Sequence, residues 1–103
     1  MRISALSTDL MDRSRFPEGT TFVRRAGALD ADADVVVVDL SRPDALDGVR
    51  RLRAEGATVR IVAYGSHVER DVLAEARDAG CNEVLPRSAF FADIEAALRP
   101  AHE

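Results

Sequence analysis

Residues 34–43 read Asp-Val-Val-Val-Val-Asp-Leu-Ser-Arg-Pro, and the interpretation of the whole chain starts from this stretch. Four consecutive valines leave no polar face, which is typical of a parallel strand covered on both sides. Asp39 ends the run, and Pro43 suits the first turn of a following helix. Open α/β sheets bind ligands at the carboxyl ends of their strands, so Asp39 is the first candidate site residue.

Strand-like runs and helical periodicity alternate along the rest of the chain. Strands are predicted over 2–7, 20–24, 34–39, 58–64 and 82–85. A short helix is predicted over 9–16, and 26–33 is too short for a full helix. The pattern indicates a parallel sheet with helices on both faces.

Three further helices are predicted from apolar residues at helical spacing. Glycines mark the ends of the first two, and Ser88 is a candidate cap for the last. Their apolar positions are Ala45, Val49 and Leu52 before Gly56; Val68, Val72, Ala76 and Ala79 before Gly80; and Phe91, Ile94 and Leu98 after Ser88.

Composition limits the classes of function. A chain of 103 residues fits one small domain over 1–103, and a net charge of −4 argues against nucleic-acid binding. All 14 basic residues are arginine, which excludes chemistry that needs a lysine amine. Cys81 is the only cysteine and no apolar run is long enough to span a membrane, so we expect a cytoplasmic protein.

Four local runs resemble the receiver domain of two-component response regulators. They are the valine run with Asp39 and Pro43, Gly48 before Val-Arg-Arg-Leu-Arg, residues 61–67 (Ile-Val-Ala-Tyr-Gly-Ser-His), and residues 79–87 (Ala-Gly-Cys-Asn-Glu-Val-Leu-Pro-Arg). The resemblance implies a flavodoxin-like three-layer fold with a five-stranded parallel sheet of order 2-1-3-4-5. The first and second helical connections are shorter than is usual for that fold.

Receivers are phosphorylated on an aspartate beside a divalent cation, and the resemblance places this phosphoacceptor on Asp39. The acidic pair that helps to hold the cation falls on Ser7 and Thr8, which are not acids, although Asp9 is adjacent. One or two carboxylates should hold Mg²⁺ poorly, because Mg²⁺ dehydrates reluctantly.

The groups that grip the phosphoryl oxygens are also altered. The hydroxyl position falls on Gly65, with Ser66 next to it, and the lysine position falls on Arg87. The aromatic switch position falls on Val84. The resemblance is therefore to a degenerate receiver, or pseudo-receiver.

The acids near this pocket have simpler interpretations as well. Asp39 is either a phosphoacceptor, a partner of Arg87, or a cap for the next helix. Asp9 and Asp12 are weak metal ligands or acids that oppose a helix macrodipole, and for Asp12 we expect the second role.

The last strand and helix offer an interaction surface. Phe90 and Phe91 are consecutive, so on one helix they point about 100° apart. Because Phe91 shares a face with Ile94 and Leu98, we expect Phe90 to be partly exposed. Receivers commonly use this region for partners and dimers, which makes Val84, Phe90 and Phe91 interface candidates and a homodimer through the last two helices an option.

We interpret the chain as a stand-alone pseudo-receiver that acts by protein–protein interaction, without phosphorylation, enzymatic activity or a cofactor. The first alternative is a single-domain response regulator phosphorylated on Asp39, which would need Mg²⁺. The second is an anion or small-molecule sensor that uses the strand ends, where the Gly65-Ser66 loop opens a helix.

Overall fold

The valine run forms the centre of the sheet in the computed structural model, which describes residues 1–7 and 9–99. Val35–Asp39 is β3, and it pairs in parallel with Ile3–Leu6 (β1) on one side and with Arg60–Gly65 (β4) on the other. All five residues of β3 are buried. The prediction of a central strand covered on both faces is confirmed.

Two shorter strands complete the sheet at its edges. Thr21–Val23 (β2) pairs with β1, and Glu83–Pro86 (β5) pairs with β4, both in parallel. The strand order is therefore β2-β1-β3-β4-β5, which confirms the predicted fold class and its 2-1-3-4-5 order.

Helices cover both faces of this sheet, as predicted. The first and second connections hold only one turn each, because Pro17 limits the first and the second is short and carries Gly27 and three aspartates. The helices of the described ranges are all too short and too polar to cross a membrane. Their bounds are Leu10–Arg13 (α1), a 3₁₀ helix at Ala26–Ala28, Ala45–Ala54 (α2), Arg70–Ala79 (α3), Arg87–Ala92 (α4) and Ile94–Leu98 (α5).

The predicted face of α3 is correct for Ala76, which is buried, and for Val72 and Ala79, which are partly buried, but Val68 does not belong to the helix. Val68 lies in the loop before the helix and is 72% exposed, whereas Leu73 and Ala76 face the core. The turn at 66–69, closed by a hydrogen bond from the Glu69 N–H to the Ser66 carbonyl, delays the start of the helix to Arg70. Gly80 ends the helix with φ of +121°, as its position in the sequence indicates.

The predicted single last helix is two helices. Ser88 lies inside α4 and caps nothing, whereas Asp93 interrupts the helix at φ −150° and caps α5 by accepting a hydrogen bond from the Ala96 N–H. This break resets the helical phase. Phe90 can therefore point into the core together with Leu98.

The prediction that Phe90 is partly exposed is consequently wrong, since the side chain is fully buried. Val84 is buried as well, in the core on the opposite face of the sheet. Of the three interface candidates, Phe91 alone is partly exposed.

We expect Gly48→Ala to destabilise the protein. A Cβ atom at position 48 would lie 2.4 Å from the Cβ of Ala26, where α2 packs against the 3₁₀ helix. Neither atom can rotate away, so we expect the free energy of unfolding to fall by about 1 kcal/mol or more despite the better helix propensity of alanine.

Gly27→Ala is the matched control, because a Cβ atom at Gly27 meets no atom within 4 Å. Urea unfolding of both variants measures the difference. Equal stability of the two variants would contradict the close approach of α2 to the 3₁₀ helix.

Candidate functional site

An open cleft of about 970 Å³ lies at the carboxyl edge of the sheet. Strand-end residues predicted from the sequence meet in it, although they are far apart in the chain. Ser7 is buried beside it, and Thr8 lies outside the described residues. The residues that line the cleft and carry the argument are Asp9, Asp12, Arg15, Asp39, Leu40, Gly65, Ser66, Glu69, Arg87 and Phe91.

Asp39 is almost buried, with 8% of its surface exposed. Its Oδ1 atom accepts a hydrogen bond of 2.9 Å from the Ser41 N–H and so caps the turn over residues 39–42. The Oδ2 atom of Asp39 accepts no hydrogen bond from any described residue, and Asp39 forms no ion pair with Arg87. The alternatives in which Asp39 pairs with Arg87 or caps the next helix are both wrong, since the N-cap of α2 is Asp44.

Arg87 instead forms an ion pair with Asp12. Asp12 lies in the first turn of α1, as expected for an acid that opposes the helix macrodipole, but it is only 2% exposed. Asp12 lies in α1, and Phe16 follows four residues later, in the turn after this helix. Both side chains point toward the core. No local signal in the sequence indicates this pairing, because Arg87 is 75 positions away.

The electrostatics of the cleft centre on this carboxylate. Burial raises the pKa of Asp12, and the nearby charges of Asp9 and Asp39 raise it further. The guanidinium of Arg87 lowers the pKa and so supports the charged form. Without Arg87, Asp12 would be a buried and unpaired charge.

Ser7, which the resemblance places at the first acidic position of receivers, is bound to Tyr64. The two hydroxyl groups are 2.8 Å apart, and both side chains are buried. Burial raises the pKa of Tyr64, so its phenol stays protonated and can also donate to Asp12 Oδ2, 3.5 Å away. The Tyr64 ring stacks on the Phe90 ring, with 4.8 Å between the two ring centroids, and this stacking fixes the direction of the hydroxyl.

A neighbouring side chain fills the space at Gly65, where the resemblance places the hydroxyl group of receivers. A Cβ atom at Gly65 would lie 3.2 Å from the Cβ and 3.3 Å from the Cδ1 of Leu40. Ser66, the possible substitute, accepts a long hydrogen bond of 3.4 Å from the Val68 N–H within its own turn.

The donor set does not fit Mg²⁺. Asp9 uses Oδ1 to cap α1 by accepting hydrogen bonds from the N–H groups of Met11 and Asp12. Asp12 is held by Arg87, and Ser7 by Tyr64. In residues 1–7 and 9–99, no three acidic, histidine or cysteine side chains are grouped so that they could hold a metal ion.

We expect Arg87→Met to lower the free energy of unfolding at neutral pH by about 1–3 kcal/mol, less than for a fully buried pair because Arg87 is partly exposed. Arg70→Met is the control, since Arg70 is exposed and forms no ion pair with a described residue. The loss should shrink as the pH falls toward the ordinary aspartate value of 3.8, because protonated Asp12 needs no counter-charge.

The sign follows from the pKa of Asp12, which is raised in the folded state. Between the unfolded and folded pKa values the folded protein binds the proton more tightly, so acidification stabilises it, and more so without Arg87. Chemical denaturation across this pH range measures the effect. A loss that is independent of pH, or one equal to that of Arg70→Met, would contradict the assignment.

We expect Tyr64→Phe to destabilise the protein by about 1–2 kcal/mol, because it leaves the buried Ser7 hydroxyl without its partner. Adding Ser7→Ala should restore part of this loss, since the double variant removes both polar groups. A double-mutant cycle measured by thermal unfolding tests the pair. Simple additivity of the two substitutions would show that the hydroxyl groups are not coupled.

The comparisons with known proteins agree with this architecture. No family model matches the sequence, and no curated protein is significantly similar to it. Solved structures of receiver domains are similar in fold. The receiver domain of RcsB from Salmonella enterica serovar Typhimurium has a TM-score of 0.70 at 17% identity, covering 95% of this chain and 84% of that one.

Two further structures extend the likeness. The phosphorylated cyanobacterial phytochrome response regulator RcpA has a TM-score of 0.76 at 14% identity, with 99% of this chain and 96% of that chain covered. A LuxR-family response regulator from Aurantimonas sp. has a TM-score of 0.71 at 22% identity, with 93% and 80% covered. The chain has the fold of response regulator receiver domains.

Proposed function

We propose that this domain is a pseudo-receiver that acts by docking to another protein, without phosphorylation, enzymatic activity or a bound cofactor. One observation carries the proposal: contacts within the protein occupy the positions that phosphotransfer needs. Arg87 binds Asp12, Ser7 binds Tyr64, and Leu40 fills the space beside Gly65.

Charge supports the proposal. A phosphoryl group on Asp39 would add up to about two negative charges beside Asp9 and Asp12. Receivers neutralise such charge with a divalent cation and a lysine, but the donor set here does not fit the cation. Arg87 is already committed to a buried carboxylate that needs it. Phosphorylation would therefore set two acids in competition for one guanidinium.

The same contacts favour a single conformation. The Arg87–Asp12 pair joins α1 to the start of α4, and the Tyr64 ring stacks on Phe90 within α4. These contacts connect α1 and Tyr64 to α4 without a bound phosphoryl group or metal ion. A domain held in this way presents a constant surface, which suits docking better than switching.

Amide NMR spectra recorded with Mg²⁺, and then with beryllofluoride, test the proposal. We expect no specific shifts around Asp39, Gly65 and Arg87 at millimolar concentrations, because the cation and the phosphoryl mimic both lack ligands. A conventional receiver treated in parallel is the control for the reagent. Saturable shifts at these three positions would refute the proposal and favour phosphorylation on Asp39.

The phosphoacceptor alternative is favoured by one observation, the oxygen of Asp39 that has no partner among the described residues.

The anion-sensor alternative is disfavoured by charge. Four carboxylates and two guanidinium groups line the cleft, so an anion would meet net repulsion.

A further inference from the structure

Exposed apolar side chains lie on both sides of the cleft. Leu10 and Met11 are 76% and 71% exposed at the start of α1, directly after the lining residue Asp9. Val68 is 72% exposed, between the lining residues His67 and Glu69. Leu10 therefore follows the end of β1, and Val68 follows the end of β4.

The sheet order places Asp39 between these two apolar sites. β3 lies between β1 and β4, and Asp39 is its last residue, level with Tyr64 of β4. The cleft therefore has a carboxylate between two groups of exposed apolar residues, each next in the chain to residues that line it. Exposed apolar side chains beside a charged site gain free energy when a partner covers them.

The charge of the cleft selects the partner. Arg87 is neutralised by Asp12, which leaves the carboxylates of Asp9, Asp39 and Glu69. Arg15 is the remaining guanidinium, and it lies over the Phe91 ring, 5.4 Å from the ring centroid. The unpaired charge is therefore negative and attracts a cation.

Asp39 gives this attraction a specific target. More than nine-tenths of the residue is buried, yet one of its oxygens has no donor among the described residues. A carboxylate that has lost most of its water gains most from a charged hydrogen-bond donor. The donor set does not fit a divalent metal, so a side-chain cation is the better match.

We propose that the cleft binds an arginine side chain of a partner protein, in a segment whose neighbouring residues are apolar. The guanidinium pairs with Asp39, and the apolar neighbours pack on Leu10 and Val68. The inference rests on the proposed function, because a phosphorylated Asp39 would lack its free oxygen. It adds the chemistry of the partner, which the docking proposal leaves open.

Three synthetic peptides with blocked ends test the inference by amide NMR titration. The first is Leu-Gly-Arg-Gly-Leu, the second replaces arginine with uncharged citrulline, and the third replaces both leucines with glycine. We expect the first to cause saturable shifts in residues 39–41 and 65–69. The affinity of each of the other two peptides should be lower by about fivefold or more, because each lacks one of the two contacts.

Two protein variants assign the contacts. Asp39→Asn should remove the preference for arginine over citrulline, whereas Asp78→Asn, an exposed carboxylate near the other end of α3, should leave it unchanged. Leu10→Ser should weaken the binding of Leu-Gly-Arg-Gly-Leu but leave unchanged the binding of the peptide in which glycine replaces both leucines. Spectra of each free variant establish that it is folded.

Equal binding of the arginine and citrulline peptides would overturn the inference, as would shifts outside the cleft or no shifts at millimolar peptide. The beryllofluoride titration gives an independent result. A protein that binds neither reagent keeps the docking proposal and loses the arginine site. A protein that binds beryllofluoride loses the docking proposal, whatever the peptides do.

Discussion

The ion pair between the buried Asp12 and the partly exposed Arg87 is the interaction on which the site depends. A carboxylate with 2% of its surface exposed is stable only when a counter-charge replaces the lost water. Arg87 can supply that charge because it is the first residue of α4, directly after β5. The pair therefore requires α1 and α4 to lie on the same face of the sheet, where Phe16 and Phe90 also pack together.

Around this pair, Ser7 and Gly65 are also matched by contacts within the protein. The hydroxyl of Ser7 is satisfied by Tyr64, and the space at Gly65 is filled by Leu40. Gaps or unpaired polar atoms at these positions would destabilise the core. The matched contacts therefore help to stabilise the site as it stands.

The fold could be predicted from the sequence because it depends on patterns that local residues determine. Four valines specify a strand buried on both faces, and glycines mark the helix ends. The burial of Phe90 could not, because it depends on the break at Asp93 that resets the helical phase. The late start of α3 depends on the turn at 66–69. The pairing of Asp12 could not be predicted either, since its partner lies 75 positions away and leaves no local signal.

Tyr64 gives the site a further property through its chemistry as a chromophore. The chain has one tyrosine and no tryptophan, and that tyrosine lies buried beside Asp12 and Ser7. The near-ultraviolet absorption and the intrinsic fluorescence of the whole protein therefore originate mainly at this one location. Any event that alters the hydrogen bonding or stacking of the phenol is visible optically, without an attached label.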